Sequence, residues 1–331
     1  MYQVKRASNS EFVPIRNLSY HVRTWGTPSP DRTPLVMVHG WMDVGASYQF
    51  VIDAFSEAFA TGRHIIAPDW RGYGLTGTAG PPQGADGPLG GQRGHEVPSV
   101  GATYQDVHDN YWFPDYLADL DFLLDHYAPD RAVDLVGHSM GGNVVMQYAG
   151  VRPERIRRLI NLEGFGMPAT KPSQAPGRYA KWMDELKSLH RGELALKSYD
   201  SSASVARRLM KTNPRLGQDK AEWLAQHWAR ENAPGQWDIL GDAAHKITNA
   251  QLYRVDEVLE IYQRITAPTL AVEATDNQMA RWWDGKYTLD EYHERLKQVP
   301  QLTQALITDA GHMLHHDQPR QLAGLIENFV A

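Results

Sequence analysis

The chain has 331 residues, of which 42% are hydrophobic and 22% charged, as expected for a globular protein with one large domain and an insertion. A formal net charge of −6 gives no reason to expect a nucleic acid or an anionic membrane as partner, and the absence of cysteine excludes disulfides, thiolate metal sites and a cysteine nucleophile. Because no apolar run is long enough for a membrane helix and no secretory segment follows the first residues, we expect a cytoplasmic protein.

The first predicted strands lie between residues 18 and 69. Residues 18–26 alternate and end in glycine, which is typical of an antiparallel strand. Residues 34–40 form a continuous apolar run, as in a strand that is buried on both faces of a parallel sheet. Residues 63–69 predict the next strand.

A long irregular segment and a helix follow. Residues 78–101 contain seven glycines and four prolines without apolar periodicity, which predicts a long loop. This loop follows the carboxyl end of a strand, where α/β sheets bind ligands, so an active-site flap and an insertion without function are both consistent with it. Residues 106–127 have the apolar spacing of a helix.

The most informative segment is residues 133–146. A β-branched apolar run leads to Gly137, Ser139 follows, and a helical pattern begins after Gly141. These glycines fit the G-x-S-x-G nucleophile elbow, a strained turn in which side chains at both glycine positions would collide with the chain. The pattern predicts an exposed serine Oγ beside a helix N-terminus, where a developing negative charge is stabilised.

The remaining elements divide into core strands and a helical insertion. Core strands are predicted at 156–164, 267–277 and 304–312, with a helix at 289–299 and a closing helix to residue 331. Between residues 168 and 253 amphipathic helical patterns predominate, at 178–189, 204–211, 220–230 and 237–247.

Over nearly its whole length the chain resembles the α/β-hydrolase superfamily. The resemblance rests on the elbow Gly-His-Ser-Met-Gly-Gly, the His39-Gly40 pair after a buried strand, the Asp-Trp-Arg-Gly-Tyr-Gly loop at 69–74, and a late Gly-His followed by an acidic residue and proline. It implies a mostly parallel sheet flanked by helices, in which a core of residues 1–166 and 254–331 carries a helical cap at 167–253.

The resemblance also implies roles for individual residues. Ser139 corresponds to the nucleophile and His312 to the base, while the backbone N–H groups of Trp41 and Met140 correspond to the oxyanion hole. No organic cofactor and no metal are implied.

Several polar residues near the motifs are interpreted as structural. We expect His39, Asp69 and Arg71 to brace loops. A metal site formed by His315 and His316 with Asp317 is conceivable, but a double histidine at the start of a helix is more often at the surface.

The acid of the triad has two candidates. Most relatives carry it in a G-x-x-D turn after the strand that begins here at Pro268. If Ala274 occupies the glycine position, the acid position holds Asn277, and Asp276 lies one residue early. Some members of the fold place the acid after the strand that follows the elbow helix, where this chain has Glu163. We favour Glu163, with Asp276 as the alternative.

These residues predict a serine hydrolase that cleaves small-molecule carboxylic esters through an acyl-enzyme intermediate. A carbon–carbon bond hydrolase of ring-cleavage products would use the same triad and remains an alternative. A non-catalytic receptor that binds a small molecule on the same fold is a third possibility. The serine nucleophile argues against haloalkane dehalogenases and epoxide hydrolases of this fold, which use aspartate there.

Overall fold

The computed structural model describes residues 1–76 and 109–331, so the predicted loop at 78–101 lies outside the described residues. The strands of its larger sheet are β1 (Asn9–Ile15), β2 (Leu18–Trp25), β3 (Leu35–Val38), β4 (Ile65–Pro68), β5 (Val133–His138), β6 (Ile156–Leu162), β10 (Thr269–Asp276) and β11 (Leu302–Gly311). A smaller sheet contains β7 (Ser198–Tyr199), β8 (Ala229–Ala233) and β9 (Gln236–Ile239).

The α-helices of the described residues surround these sheets. They are α1 (Gln49–Ala54), α2 (Glu57–Ala60), α3 (Phe113–Tyr127), α4 (Met140–Val151), α5 (Ala175–His190), α6 (Ser202–Thr212), α7 (Gln218–Trp228), α8 (Val255–Gln263), α9 (Met279–Trp283), α10 (Leu289–Leu296), α11 (Leu314–Asp317) and α12 (Pro319–Val330). Over residues 1–76 and 109–331, none of the helices is both long and apolar enough to cross a membrane.

The large sheet has the strand order β1–β2–β4–β3–β5–β6–β10–β11. β1 and β2 pair antiparallel, as do β2 and β4, and the pairs from β4 to β11 are parallel. The predicted mostly parallel sheet is therefore confirmed. Strand β1, which forms one edge of the sheet, was not predicted from the sequence.

Helices cover both faces of this sheet because its central strands are apolar on both sides. In β3, Val36 and Val38 pack into a core with α3 and α4, whereas Leu35 and Met37 pack into a second core with α1 and α12. This is the reason for the continuous apolar run in the sequence. The parallel strands end at one edge of the sheet. The residues that directly follow β3, β5, β6 and β11 therefore lie at this edge.

Residues 167–253 form an inserted segment between β6 and α8. Helices α5, α6 and α7 agree with three of the four predicted helices. The fourth prediction, at 237–247, is wrong, because that region contains β9 and a short 3-10 helix at Ala243–Lys246. The small sheet, in the order β7–β9–β8, was not predicted.

Candidate active site

Ser139 lies at the tip of a sharp turn between β5 and α4. Its φ is +53°, a left-handed conformation that is unfavourable for a side chain other than glycine. A Cβ on Gly137 would lie 2.3 Å from the Gly141 carbonyl oxygen, and one on Gly141 would lie 2.5 Å from that of His39. Both glycines are thus required by close backbone contacts, as the elbow pattern predicts.

Three side chains form one hydrogen-bonded series at the carboxyl edge of the sheet. The Nε2 of His312 lies 2.9 Å from Ser139 Oγ, and its Nδ1 lies 3.0 Å from Glu163 Oε2. The Glu163 side chain is fully buried, and its Oε1 accepts a hydrogen bond from the Ala274 backbone N–H at 2.7 Å. The carboxylate is therefore held from both sides, with one oxygen directed at the imidazole.

The side chain of the alternative acid, Asp276, is directed at Arg215 and not at His312. This side chain is 56% exposed and forms an ion pair with Arg215, and within the described residues it makes no hydrogen bond or ion pair with His312. The geometry thus brings Glu163, and not Asp276, to the histidine.

The two predicted oxyanion donors come from two different segments of the chain. Met140 is the first residue of α4, and Trp41 follows the His39-Gly40 pair after β3. Both residues line the same cavity as Ser139. Among the described residues neither backbone N–H has a hydrogen-bond acceptor, so both remain available to a ligand.

The three residues that we expected to brace loops make structural contacts. His39 is buried, with Nδ1 against the Gly40 carbonyl oxygen and Nε2 accepting from the Trp70 backbone N–H, and burial lowers its pKa. Arg71 forms two hydrogen bonds to the buried carboxylate of Asp119. These contacts fix the loops after β3 and β4 around the elbow.

Asp69, which directly follows β4, holds the same region through its buried carboxylate. Its carboxylate accepts hydrogen bonds from the Gly45 and Leu75 backbone N–H groups and contacts His21 Nδ1 at 2.7 Å. Burial raises the pKa of this carboxyl, but the His21 contact and the other partners outweigh it, and the pKa is lowered to about 2. Asp69 therefore stays ionised in its buried position.

A cavity of about 1090 Å³ opens above Ser139 and His312. Its wall includes apolar residues of the core and of the inserted segment, among them Trp41, Phe165, Trp282, Leu209 and Leu216. Basic side chains also line it, namely Arg178, Lys197, Arg208, Lys246 and Arg254. A substrate with an apolar body would fit between the core and the inserted segment.

Comparison with known families identifies the family of the chain. The model of the alpha/beta hydrolase fold family matches residues 33–319. The chain belongs to this family.

Individual relatives of this α/β hydrolase are distant. A serine hydrolase-like protein of Danio rerio is 21% identical over 341 residues, which cover 99% of the chain and 90% of that protein. A 2-hydroxy-6-oxo-2,4-heptadienoate hydrolase of Pseudomonas putida is 30% identical over 40% of the chain and 38% of its own length. The solved thioesterase domain from the curacin biosynthetic pathway superposes with a TM-score of 0.74 at 23% identity, covering 97% of the chain and 99% of that domain.

The double histidine of this hydrolase differs from expectation. His315 and His316 lie in α11 and are 1% and 4% exposed, so the prediction of a surface position is wrong. They are buried because the short helix α11 packs against β11 and α1 and is not exposed at the surface. Asp317 instead accepts hydrogen bonds from the Gly311 backbone N–H and the Asn213 side chain.

Sequence reasoning missed two further polar residues close to Ser139 and His312. His138 immediately precedes Ser139, and Asp43 lies two residues after Trp41; both are buried and line the cavity. Asp43 occurs in the same short motif as Trp41, but its buried position depends on packing that the motif does not show.

Proposed function

We propose that this chain is a serine hydrolase that cleaves carboxylic esters of small molecules. The observation that carries the proposal is the series of contacts from Ser139 Oγ to His312 Nε2 and from His312 Nδ1 to Glu163 Oε2, at 2.9 and 3.0 Å. Contacts of this length connect a nucleophile, a base and an orienting acid in serine hydrolases.

The proposed reaction has two halves. Ser139 Oγ attacks the ester carbonyl carbon while His312 takes the hydroxyl proton, and the Glu163 carboxylate stabilises the resulting imidazolium. The tetrahedral oxyanion accepts hydrogen bonds from the Trp41 and Met140 backbone N–H groups, and its collapse expels the alcohol, which receives the proton from His312. A water molecule activated by His312 then releases the acid and regenerates Ser139.

We assign the inserted segment, residues 167–253, as a cap over this site. Leu209, Leu216 and Trp228 of this segment line the cavity opposite the elbow. A cover of this kind excludes water from the acyl-enzyme and selects substrates by shape. The apolar side chains of the cavity wall, such as Leu209, Leu216 and Phe165, favour an apolar acyl group.

The nucleophile assignment is tested by labelling and turnover. Wild-type protein should react covalently with a fluorophosphonate at Ser139 and hydrolyse p-nitrophenyl esters. Ser139→Ala should abolish labelling and lower turnover by roughly 10⁴-fold or more, the scale of losing a triad nucleophile. Ser173→Ala, at an exposed serine of the inserted segment, serves as the control and should behave as wild type. A folded Ser139→Ala variant with wild-type turnover would refute the proposal, and an unlabelled wild type would favour the non-catalytic receptor.

A second candidate activity is carbon–carbon bond hydrolysis of ring-cleavage products. It is favoured by the partial similarity to the heptadienoate hydrolase of Pseudomonas putida, which includes 40% of this chain. Turnover of vinylogous diketones would support it. Steady turnover of p-nitrophenyl esters of varied acyl length, without diketone cleavage, would support the ester hydrolase.

A further inference from the structure

Asp43, His138 and His315 form a buried cluster directly beside the triad, which we call the lower cluster. Their exposed fractions are 3%, 2% and 1%. One side-chain ligand atom from each residue lies within 4.8 Å of the other two. The cluster joins three elements, since Asp43 follows β3, His138 ends β5, and His315 lies in α11.

The hydrogen bonding of His138 fixes which of its nitrogens is free. Its Nε2 lies 2.7 Å from the His312 carbonyl oxygen. A carbonyl oxygen can only accept, so Nε2 carries the hydrogen and the Nδ1 of the neutral ring carries a lone pair. This arrangement, in which one ring nitrogen donates to a backbone carbonyl, is the one that orients metal-binding histidines.

The Asp43 carboxylate is similarly fixed through one oxygen. Its Oδ1 accepts hydrogen bonds from the Val44 backbone N–H at 2.9 Å, from the Trp228 indole at 3.1 Å and from the Ser47 hydroxyl. Its Oδ2 is left directed at His315 Nε2, 3.6 Å away, which is too long for a hydrogen bond.

Within residues 1–76 and 109–331, four polar atoms of the lower cluster have no hydrogen-bond partner. They are Asp43 Oδ2, His138 Nδ1 and both ring nitrogens of His315. Buried polar atoms without partners are rare because their desolvation is costly, and an ion or a water is the usual explanation. Here the free atoms include a carboxylate oxygen and imidazole lone pairs, which are metal ligands.

We propose that Asp43, His138 and His315 bind a divalent transition metal ion of the Zn²⁺ class. Two imidazole nitrogens and one carboxylate oxygen are a common zinc ligand set, with bonds of about 2.0–2.2 Å and a fourth position left for water. Such bonds place tetrahedral ligand atoms roughly 3.3–3.6 Å apart, close to the 3.6 Å between Asp43 Oδ2 and His315 Nε2. Asp43 and His138 are also among the residues that line the cavity, so the proposed site adjoins it.

The first test measures binding by the full-length protein. After treatment with EDTA and dialysis, Zn²⁺ should bind with one-to-one stoichiometry in calorimetry and raise the melting temperature, because an ion that binds only the folded state stabilises it. Asp43→Asn keeps the Oδ1 acceptor but loses the charge, and His315→Gln removes an imidazole. We expect each substitution to weaken Zn²⁺ binding by at least roughly 10- to 100-fold. This is the loss in affinity that typically follows mutation of the residues around a metal ligand.

His64→Gln is the matched control. His64 is also a buried histidine with an unpartnered Nδ1 among the described residues, but its ring packs on Tyr127 away from the lower cluster. Binding should be unchanged in this variant. No binding by the wild type, or equal weakening in His64→Gln, would overturn the proposal.

A measurement on the wild type alone covers the case in which a variant does not fold. A crystal soaked in Zn²⁺ should show an anomalous peak at bonding distance, about 2.0–2.2 Å, from Asp43 Oδ2, His138 Nδ1 and His315. A peak only at surface histidines, or none, would overturn the proposed site.

Discussion

Glu163 combines an unfavourable backbone conformation with a fixed side chain. Its φ is +54°, which costs roughly 1–2 kcal/mol for a residue other than glycine. The turn is held by Asn161, whose side chain accepts from the Gly164 backbone N–H and donates to its carbonyl oxygen. The hydrogen bond from Ala274 N–H then directs the carboxylate to His312. These hydrogen bonds therefore hold the proposed acid in place despite its unfavourable backbone conformation.

Conservative substitutions separate the two candidate acids. Glu163→Gln keeps the size and the acceptor for Ala274 N–H but removes the charge that stabilises the imidazolium. We expect kcat for ester hydrolysis to fall by roughly 10³- to 10⁴-fold, the scale of a triad acid made neutral. Asp276→Asn, at an exposed ion pair with Arg215, should cost about tenfold at most. The reverse ranking, in variants with unchanged melting temperatures, would assign the acid to Asp276.

The residues of the site differ in how well the sequence predicts them. Ser139 and His312 occur in short motifs whose spacing is fixed by the elbow and by the loop after the last strand. The sequence left both Glu163 and Asp276 as candidates, because both lie at the carboxyl ends of strands that share one sheet edge. The lower cluster was not found, since His138 and Asp43 meet His315 only through the packing of α11.

At the level of elements, the inserted segment contacts the core at specific points. Trp228 donates to Asp43, Arg23 approaches His227 Nδ1 at 2.9 Å, and Phe50 packs into the same apolar cluster as Leu224. The large sheet pairs without any strand from this segment. Its removal would thus expose apolar surface but leave every pairing of the large sheet in place.

Deletion of the inserted segment tests its role as a cap. We expect a chain in which residues 167–251 are replaced by a short linker to retain the core fold but to hydrolyse a different range of esters, because much of the cavity wall is lost. Circular dichroism and activity on esters of increasing acyl length would measure both effects. If the core cannot fold without the segment, the segment belongs to the main core and the predicted domain boundary is wrong.

The error at 237–247 has a physical origin. A stretch of a few residues with mixed polarity has no clear period, and β9 is only partly buried, so alternation is weak. A turn signal was nevertheless present, because Pro234 and Gly235 connect β8 to β9, and Gly235 adopts a φ of +72°. Hairpin signals of this kind would have separated the strand from a helix.

At the level of the whole molecule, buried histidines make stability depend on pH. The ring of His245 stacks between Tyr73 and Tyr111 at centroid distances of 3.8 and 3.7 Å, and burial lowers its pKa from 6.5 to about 3. His227 behaves similarly, since burial and the nearby Arg23 lower its pKa to about 4. In the unfolded chain both histidines would begin to bind a proton near pH 6.5, whereas in the folded protein both remain neutral at that pH.

The free energy of unfolding should therefore fall as the pH decreases from about 6.5 towards 4, by at most roughly 1.4 kcal/mol per pH unit for each such histidine. His245→Phe keeps the stacking but removes the titrating group, so its melting temperature should change less between pH 7 and pH 5 than that of the wild type. A variant with the wild-type pH dependence would show that His245 is not one of the groups that control it.

The position of the proposed acid has a consequence for how this protein can diverge. Ser139, Glu163 and His312 follow β5, β6 and β11, so the turn after β10 carries none of the three. That turn leads into α9, where Trp282 packs edge-on against the His312 ring at 4.4 Å and Trp283 lines the cavity. We therefore expect that positions of this turn and helix away from His312, such as Trp283, can be exchanged to alter the shape of the cavity while Ser139, His312 and Glu163 stay in place.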